Sequence, residues 1–226
     1  MRILIVAATD SEIAPLAAQL HEKSSIAPRA KQYEYERHDL GVLTTGVGMV
    51  ATAAWCSQIL AQNQYGLALN LGLCGTFDRK IELAQVVHVT SDCIAELGAE
   101  DDENLLNVQE LGLLDANEFP FTNGILVNAS PPSSATLSGL AAVAGITVNT
   151  VHGNEHSIAA VKRRFQPQVE SMEGAAFMYT CMVHRVPFAQ IRAVSNFVEK
   201  RNRAAWELTD AICNLTEVGL RILEEI

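Results

Sequence analysis

The sequence predicts an α/β fold in which helices cover both faces of a central sheet. Apolar runs of five to seven residues alternate along the chain with segments of helical periodicity, and this alternation is typical of such a fold. Hydrophobic residues make up 49% of the 226 positions and charged residues only 19%, which supplies enough apolar surface for one large core. No linker or internal repeat divides the chain, so we expect a single domain over residues 1–226.

The predicted elements follow the apolar pattern in chain order. A buried strand is expected at residues 2–9, and two further strands are expected within 31–45, separated by a turn at 39–41. The remaining apolar runs predict strands at 66–71, 85–90, 124–127, 145–151 and 188–194. Helices are expected from a cap at Asp10 or Ser11 to about residue 20, and at 47–62, 155–165, 172–184 and 204–223. The acidic segment 96–123 lacks a clear period and predicts an excursion with room for one short helix.

Composition argues against several classes of partner. The net charge of −10 opposes binding to nucleic acid or to an acidic membrane surface, so a small-molecule ligand is the better expectation. Five scattered cysteines without C-x-x-C spacing predict buried thiols in a reducing compartment, without disulfides or zinc. The chain starts directly with an apolar strand pattern and has no apolar run of about 18 residues, so we expect a cytoplasmic protein.

A first glycine motif lies between the strand that ends near residue 45 and the following helix. Gly46-Val47-Gly48 and Ala51 imitate the G-x-G-x-x-A fingerprint of dinucleotide-binding proteins. That fingerprint also needs an acidic residue about 20 positions further on, and none occurs between Gly48 and Asp78. We therefore expect no nicotinamide cofactor, and interpret Gly46 and Gly48 as a tight turn whose amides face a polar ligand group.

A second glycine motif, residues 70–76, follows another apolar run and contains Gly72 and Gly75. We expect a second turn here, at the same edge of the sheet as the first. Ligands of open α/β sheets bind at such edges. Either turn alone is equally compatible with ordinary chain reversal, and the pair carries more weight.

Two segments near the C-terminal end of the chain carry polar side chains at element boundaries. Ser171-Met172-Glu173-Gly174-Ala175-Ala176 places a carboxylate at the start of an apolar helix, and Ile191-Arg192-Ala193-Val194-Ser195-Asn196 ends a buried strand on an amide. If both face one cleft, the carboxylate of Glu173 suits a sugar and the amide of Asn196 suits a base.

Taken in order, these motifs resemble the purine nucleoside phosphorylase and nucleosidase superfamily over nearly the whole chain. The residues that carry the resemblance are Glu12, Gly46-Val47-Gly48, Gly72-Leu73-Cys74-Gly75, Met172-Glu173-Gly174-Ala175 and Val194-Ser195-Asn196. The resemblance implies a three-layer αβα fold with a central twisted mixed sheet, no cofactor or metal, and a homodimer or larger homo-oligomer. The run 170–176 and the segment 201–206 are most similar to the futalosine-cleaving nucleosidases of a menaquinone pathway.

The resemblance also implies roles for the sugar side of the site. Glu173 would accept hydrogen bonds from the ribose 2′ and 3′ hydroxyls, as an ionised carboxylate does naturally, and Met172 would pack against the sugar. Glu12 would activate the attacking water. The alternatives are that Glu173 only stabilises its helix dipole, that Met172 belongs to the core, and that Glu12 lies on a solvated helix face.

Asn196 departs from the adenosine-type nucleosidases, which have aspartate at this position. An amide can donate to a 6-carbonyl oxygen while its own oxygen accepts from a protonated N7. This pattern suits hypoxanthine or guanine rather than adenine, and futalosine carries hypoxanthine. The alternative is an asparagine that ties down a loop.

The remaining candidate residues surround the base and the 5′ side of the sugar. Val151 and His152 are expected beside the base, with His152 a hydrogen-bonded structural residue rather than an acid. The 5′ group of futalosine is a carboxyphenyl ketone, and Trp206, Arg201 and Arg203 would supply an aromatic wall and a cation for it. Packing of the tryptophan and solvation of both arginines are the alternatives.

Hydrolysis is expected rather than phosphorolysis. Phosphate sites use arginines or a dense nest of amides, and in the phosphorylases that this chain resembles an arginine stands where it has Asn70. Along the chain no arginine follows the glycine motifs until Arg79, although a second subunit could supply one. Another purine nucleosidase or phosphorylase, acting on inosine or methylthioadenosine, and a nucleoside-binding protein without catalysis stay open as alternatives.

Overall fold

The computed structural model describes residues 1–102 and 104–226. The strands lie at Arg2–Ala7 (β1), His21–Ala27 (β2), Ala30–Tyr35 (β3), His38–Thr44 (β4), Leu67–Thr76 (β5), Val86–Asp92 (β6), Gly98–Asp101 (β7), Asn104–Asn107 (β8), Leu126–Val127 (β9), Ala141–Thr147 (β10), Val169–Ser171 (β11) and Phe188–Phe197 (β12). The helices are Asp10–Ala17 (α1), Met49–Gln62 (α2), Ala135–Gly139 (α3), Glu155–Phe165 (α4), Gly174–His184 (α5) and Leu208–Glu225 (α6), with a 3₁₀ turn at Arg203–Ala205.

The main sheet is mixed and has the strand order β11-β10-β6-β12-β5-β1-β4-β3-β2. Strands β4, β1, β5 and β12 run parallel to one another, so their carboxyl ends meet at one edge. Strand β11 pairs with β10 and also, antiparallel, with β5. The half of the sheet from β5 to β11 is therefore strongly curved, so that β11 at its end pairs with β5 in the middle.

Helices cover both faces of the sheet, as predicted. One core cluster joins one face to α1, α3 and α6, and a second joins the other face to α2 and α5. Strand β1 shows why its sequence is a continuous apolar run: Ile3 and Ile5 belong to the first cluster, while Leu4 and Val6 belong to the second. A strand buried on both faces has no polar alternation.

Several predicted bounds are confirmed and others are wrong. Helix α4 has the predicted bounds, Glu155–Phe165. Helix α1 is capped by Thr9 rather than by Asp10 or Ser11 and ends at Ala17. The turn expected at 39–41 is formed instead at residues 36–37, where Glu36 has a positive φ of 50°, and 39–41 belong to β4.

The prediction of a second glycine turn at residues 70–76 is wrong. Gly72 and Gly75 do not form a turn, because both lie inside the ten-residue strand β5. Strand β10 also ends at Thr147 rather than near residue 151. In the acidic segment 96–123 the described residues form the β7–β8 hairpin and turns rather than a helix, while Glu103 lies outside the described residues. None of the helices in the described part of the chain is long and apolar enough to cross a membrane.

Candidate active site

The site forms where parallel strands end. Glu12 follows β1, Gly48 precedes α2 after β4, and Asn196 lies near the end of β12. Glu173 is the residue immediately before α5. The carboxyl ends of parallel strands are where α/β sheets bind ligands, so the topology brings the two glutamates and the asparagine to one edge.

Glu12 is fixed by hydrogen bonds from two directions. Its Oε2 accepts from the backbone N–H of Thr9 at 2.9 Å and from the Thr9 hydroxyl at 2.8 Å. Its Oε1 accepts from the backbone N–H of Leu73 in β5 at 3.0 Å. Only 9% of the residue is exposed, which excludes a solvated helix face. Oε2 thus has both lone pairs occupied, whereas Oε1 retains acceptor capacity, so a water can be held there in a defined orientation.

Glu173 is 6% exposed and is held by Gly48, the second glycine of the first glycine motif. The backbone N–H of Gly48 donates to its Oε1 at 3.0 Å, which explains why the amide after Gly46 and Val47 must turn inward. Gly48 has a φ of 96° and Gly46 a φ of 88°, and this left-handed region favours glycine. The first glycine motif is therefore a turn whose amide binds a carboxylate of the protein itself.

Burial raises the pKa of the Glu173 carboxyl above its ordinary value, because the charged form loses solvation. The Arg192 guanidinium and the Gly48 N–H lower that pKa in part, and the negative charge of Glu12 raises it further. Nη1 of Arg192 lies 3.9 Å from Oε2 of Glu173. Arg192 is therefore the cation that partly offsets the burial of Glu173.

Arg192 lies beside Glu173 and was not among the residues predicted from the sequence. It is fully buried in β12 and lies directly opposite Gly72 of β5 in the strand register. Its Nε donates to Oε1 of Gln190 at 3.2 Å, and its Nη2 donates to Oδ1 of Asn70. Within the described residues Nη1 has no hydrogen-bond partner. The expectation that no arginine lies near the second glycine motif is wrong in space, although it holds along the chain.

Gly72 makes room for this arginine. A Cβ atom there would lie 2.2 Å from Nη1 of Arg192 and 3.2 Å from Oε1 of Glu12. The glycine is required by close approach of charged side chains to a strand, a common reason for glycine inside a sheet.

Asn196 follows an irregularity in the pairing of β12 with β5, where Val194 pairs with Cys74 and Asn196 with Gly75. Such bulges re-aim side chains near active sites. Oδ1 of Asn196 accepts from the Ser195 hydroxyl at 2.9 Å, and Nδ2 donates to the carbonyl of Phe197 at 3.0 Å. The amide keeps one N–H and one lone pair for a ligand.

A cavity of about 210 Å³ lies beside Asn196. Most of the candidate base-side residues line it: Gly75, Val151, His152, Asn196, Arg201 and Trp206. Its volume is below the range of about 300–1,000 Å³ typical of sites that take a whole drug-sized ligand. The cavity therefore fits a single base better than a complete nucleoside.

The other candidate residues lie in and around this cavity. Arg201 and Trp206 line it together with Asn196. Arg203 lies 5.8 Å from the Trp206 ring and outside the cavity lining that the described residues form. Met172 is half-buried between β11 and α5. His152 is hydrogen-bonded to Glu170, as a structural histidine would be.

Among residues 1–102 and 104–226, no group of three or more histidine, cysteine, aspartate or glutamate side chains is arranged to hold a metal ion. All five cysteines are free thiols, and four of them are buried.

Comparison with known proteins assigns the chain to a family. The family model described as the phosphorylase superfamily matches residues 2–224. Futalosine hydrolase of Thermus thermophilus is 31% identical over 81% of this chain and 80% of its own length. The 5'-methylthioadenosine/S-adenosylhomocysteine nucleosidase of Colwellia psychrerythraea is 27% identical over 100% of this chain and 97% of its own length.

The fold is also that of solved structures. The native structure of futalosine hydrolase of Helicobacter pylori superposes with a TM-score of 0.81, at 12% identity, over 100% of this chain and 98% of that chain. The relatives in sequence are nucleosidases, which are hydrolases of N-glycosyl bonds. The chain thus belongs to the phosphorylase superfamily and is an enzyme of the N-glycosidase class.

Proposed function

We propose that this protein hydrolyses the N-ribosidic bond of a 6-oxopurine nucleoside, and that futalosine is its substrate. The observation that carries the proposal is the amide of Asn196, which lines the base-sized cavity with one N–H and one lone pair free. A 6-oxopurine protonated at N7 offers the matching acceptor at O6 and donor at N7. The similarity to futalosine hydrolases supports the same substrate.

The sugar is proposed to lie over Glu173. Its Oε1 is oriented by the Gly48 N–H, and the carboxylate retains acceptor capacity for two ribose hydroxyls. Negative charge at this point also favours the positive charge that develops on the sugar ring as the bond to the base breaks. Arg192, 3.9 Å away, lowers the pKa of this carboxyl and so favours its ionised form against the effect of burial.

Water is proposed as the acceptor of the sugar. Arg192 supplies a buried cation, but the carboxylate of Glu173 lies 3.9 Å from it, and that of Glu12 lies near the same Gly72 position. A phosphate dianion at this place would be repelled by both carboxylates. A water held by Glu12 donates a hydrogen bond to its carboxylate, and Glu12 takes its proton as it attacks. The N7 proton is proposed to come from solvent.

A 6-aminopurine nucleoside is the second candidate substrate. Several 5'-methylthioadenosine/S-adenosylhomocysteine nucleosidases match the chain, one of them over its whole length. A nucleoside-binding protein without turnover would keep Asn196 and Glu173 but would not need the two-sided fixation of Glu12.

The test is a comparison of futalosine, inosine and methylthioadenosine as substrates, with release of free base measured by HPLC. We expect futalosine to have a kcat/KM at least about tenfold above that of methylthioadenosine, since unmatched polar groups in a site are strongly rejected. It should also exceed inosine, which has the same base but lacks the 5′ group. A Glu173→Gln variant is the control for the site. Preferred release of adenine from methylthioadenosine would overturn the substrate assignment, and absence of any base release would favour a binding protein.

Further proposals concern the setting of the enzyme. We propose one domain over residues 1–226, in line with the family match to 2–224, a place in menaquinone biosynthesis, and a cytoplasmic location consistent with the free thiols. Val47, Val50 and Val183 are large apolar residues exposed on or next to α2 and α5, which supports a homodimer or larger homo-oligomer. Light scattering of the purified protein tests the oligomeric state.

A further inference from the structure

Glu170 is a buried carboxylate to which the proposed reaction gives no role. It lies in the short strand β11 and is 3% exposed. Its Oε1 accepts from the backbone N–H of His152 at 2.9 Å, and its Oε2 is hydrogen-bonded to Nδ1 of the same histidine. The residue also lines the cavity beside Asn196. A buried carboxylate is costly unless it is paired, so its presence here needs a reason.

The sheet places Glu170 and Asn196 on opposite sides of one glycine. Gly75 of β5 pairs with Glu170 of β11 on one side and with Asn196 of β12 on the other. Neighbouring strands are about 4.8 Å apart, so the two side chains start from backbones separated by about two such spacings. Gly75 contributes no side chain, and a Cβ there would lie 2.9 Å from Cγ2 of Val198 and 3.1 Å from Nδ2 of Asn196. Glu170 and Asn196 both line the same cavity.

The polar groups on the Glu170 side are acceptors. Glu170 accepts from the backbone N–H of His152 and is hydrogen-bonded to Nδ1 of its ring. Each carboxylate oxygen has a second lone pair free. A ligand that faces the Glu170 carboxylate binds more tightly when it presents a hydrogen-bond donor there and less tightly when it presents a lone pair.

The two classes of purine differ in this respect. A 6-oxopurine carries a hydrogen on N1 next to its carbonyl oxygen, whereas a 6-aminopurine has a bare N1 next to its amino group. Without Glu170, the His152 N–H would suit the bare N1 of a 6-aminopurine. Because Glu170 takes up that N–H, this side of the cavity accepts a hydrogen bond instead of donating one.

We propose that Glu170, oriented by His152, is the specificity-determining residue that accepts the N1 hydrogen of a 6-oxopurine and rejects 6-aminopurines. This inference rests on the proposed function, because it assumes that the base occupies the cavity beside Asn196. Asn196 and Glu170 then contact the same base from two sides.

The experiment measures dissociation constants of hypoxanthine, adenine and 1-deazahypoxanthine by calorimetry. In 1-deazahypoxanthine a C–H group replaces N1–H, so the unmodified protein itself tests the hydrogen bond. The variant is Glu170→Gln, whose side chain has only one oxygen. When that oxygen faces the base, the NH₂ group faces a hydrogen-bond donor of His152, which is unfavourable. Glu217→Gln is the matched control, because Glu217 is an exposed carboxylate on α6 that pairs with Arg221.

We expect the unmodified protein and Glu217→Gln to bind hypoxanthine about 10- to 100-fold more tightly than adenine and 1-deazahypoxanthine, as hydrogen bonds to charged groups imply. In Glu170→Gln this preference for hypoxanthine should be largely lost, falling by about 10- to 100-fold. Equal binding of hypoxanthine and its 1-deaza analogue by the unmodified protein, with hypoxanthine still preferred to adenine, would overturn the role of Glu170 alone. A preference for adenine, or binding of neither base, would overturn the proposed function as well. If Glu170→Gln fails to fold, the 1-deaza comparison decides.

Discussion

The backbone N–H of Gly48 donates a hydrogen bond to Oε1 of Glu173 at 3.0 Å, across 125 positions of sequence. These are the residues that immediately precede α2 and α5, and the two helices pack against each other on one face of the sheet. The carboxylate proposed to hold the sugar is therefore oriented by the first glycine motif. Rigid support of this kind is what a site needs to discriminate geometry.

Replacing Gly48 by alanine should damage the site through the backbone. Gly48 has φ 96° and ψ 163°, a region occupied almost only by glycine, and forcing another residue into it costs about 1–3 kcal/mol. No atom of the described residues lies within 4 Å of the added Cβ, so steric clash is not the cause. We expect kcat/KM to fall about tenfold or more as the N–H moves away from Glu173.

Gly139→Ala is the control, because Gly139 lies in α3, also has open space for a Cβ and has an ordinary φ. It should retain full activity. Unchanged steady-state kinetics of Gly48→Ala would contradict the orienting role of this amide.

Replacing Glu12 by glutamine should lower kcat by about 10²–10⁴, the usual contribution of a positioned general base. KM should change little, because Glu12 is proposed to bind the water rather than the nucleoside. Asp10→Asn is the matched control: Asp10 is exposed in the same helix turn and accepts from the Thr44 hydroxyl at 2.9 Å. A larger loss in Asp10→Asn than in Glu12→Gln would refute the assignment of the base.

The pH profile of kcat/KM should show an acid limb set by Glu173. Its pKa is raised, chiefly by burial, so the protonated form is present at higher pH than for an ordinary glutamate. Only the ionised carboxylate accepts from both ribose hydroxyls, so activity falls as pH decreases through the raised pKa. Since Arg192 lowers this pKa, Arg192→Gln should move the limb to still higher pH. A limb at or below the ordinary glutamate value of about 4.3 would be inconsistent with this environment.

Stability should decrease as pH rises through the pKa of Asp92. Burial raises the pKa of this carboxyl from 3.8 to about 6, so the folded protein binds a proton that the unfolded chain releases between those values. The stabilising contribution is complete below pH 3.8 and is lost above about pH 6, a change of up to about 3 kcal/mol.

Asp92→Asn tests this dependence, because asparagine does not titrate. Asp92 accepts from Gln190 and Thr147, each at 3.0 Å. The variant loses hydrogen bonds, so its free energy of unfolding will be lower by a constant amount at every pH. The readout is the slope: urea unfolding between pH 4 and pH 8 should show the free energy of the unmodified protein falling relative to the variant. Parallel curves would show that Asp92 does not titrate in this range.

Much of the sheet could be predicted because its strands are apolar throughout. The run from Ile3 to Ala7 is buried on both faces, and such runs are visible in sequence. Strand β2 was not predicted because most of its residues are exposed and show no apolar alternation. Strand β11 has three residues, too few to form a pattern.

The site was predicted in part, for a related reason. Glu12, Glu173 and Asn196 stand at the ends of elements, where local patterns mark them. Arg192 could not be found in this way, because its position opposite Gly72 follows from the pairing of β12 with β5. Long-range strand pairing is not contained in local periodicity. An arginine in an otherwise apolar strand was the available signal, and the glycine opposite it supplies the space.

The central claim is that this edge of the sheet cleaves a 6-oxopurine nucleoside with water. The most direct measurement is incubation of the purified protein with futalosine in phosphate-free buffer made with H₂¹⁸O, followed by mass spectrometry of both products. We predict one hypoxanthine per futalosine consumed and one ¹⁸O atom in the sugar product, with neither product formed by Glu173→Gln. Intact futalosine, or cleavage that begins only when phosphate is added, would contradict the claim.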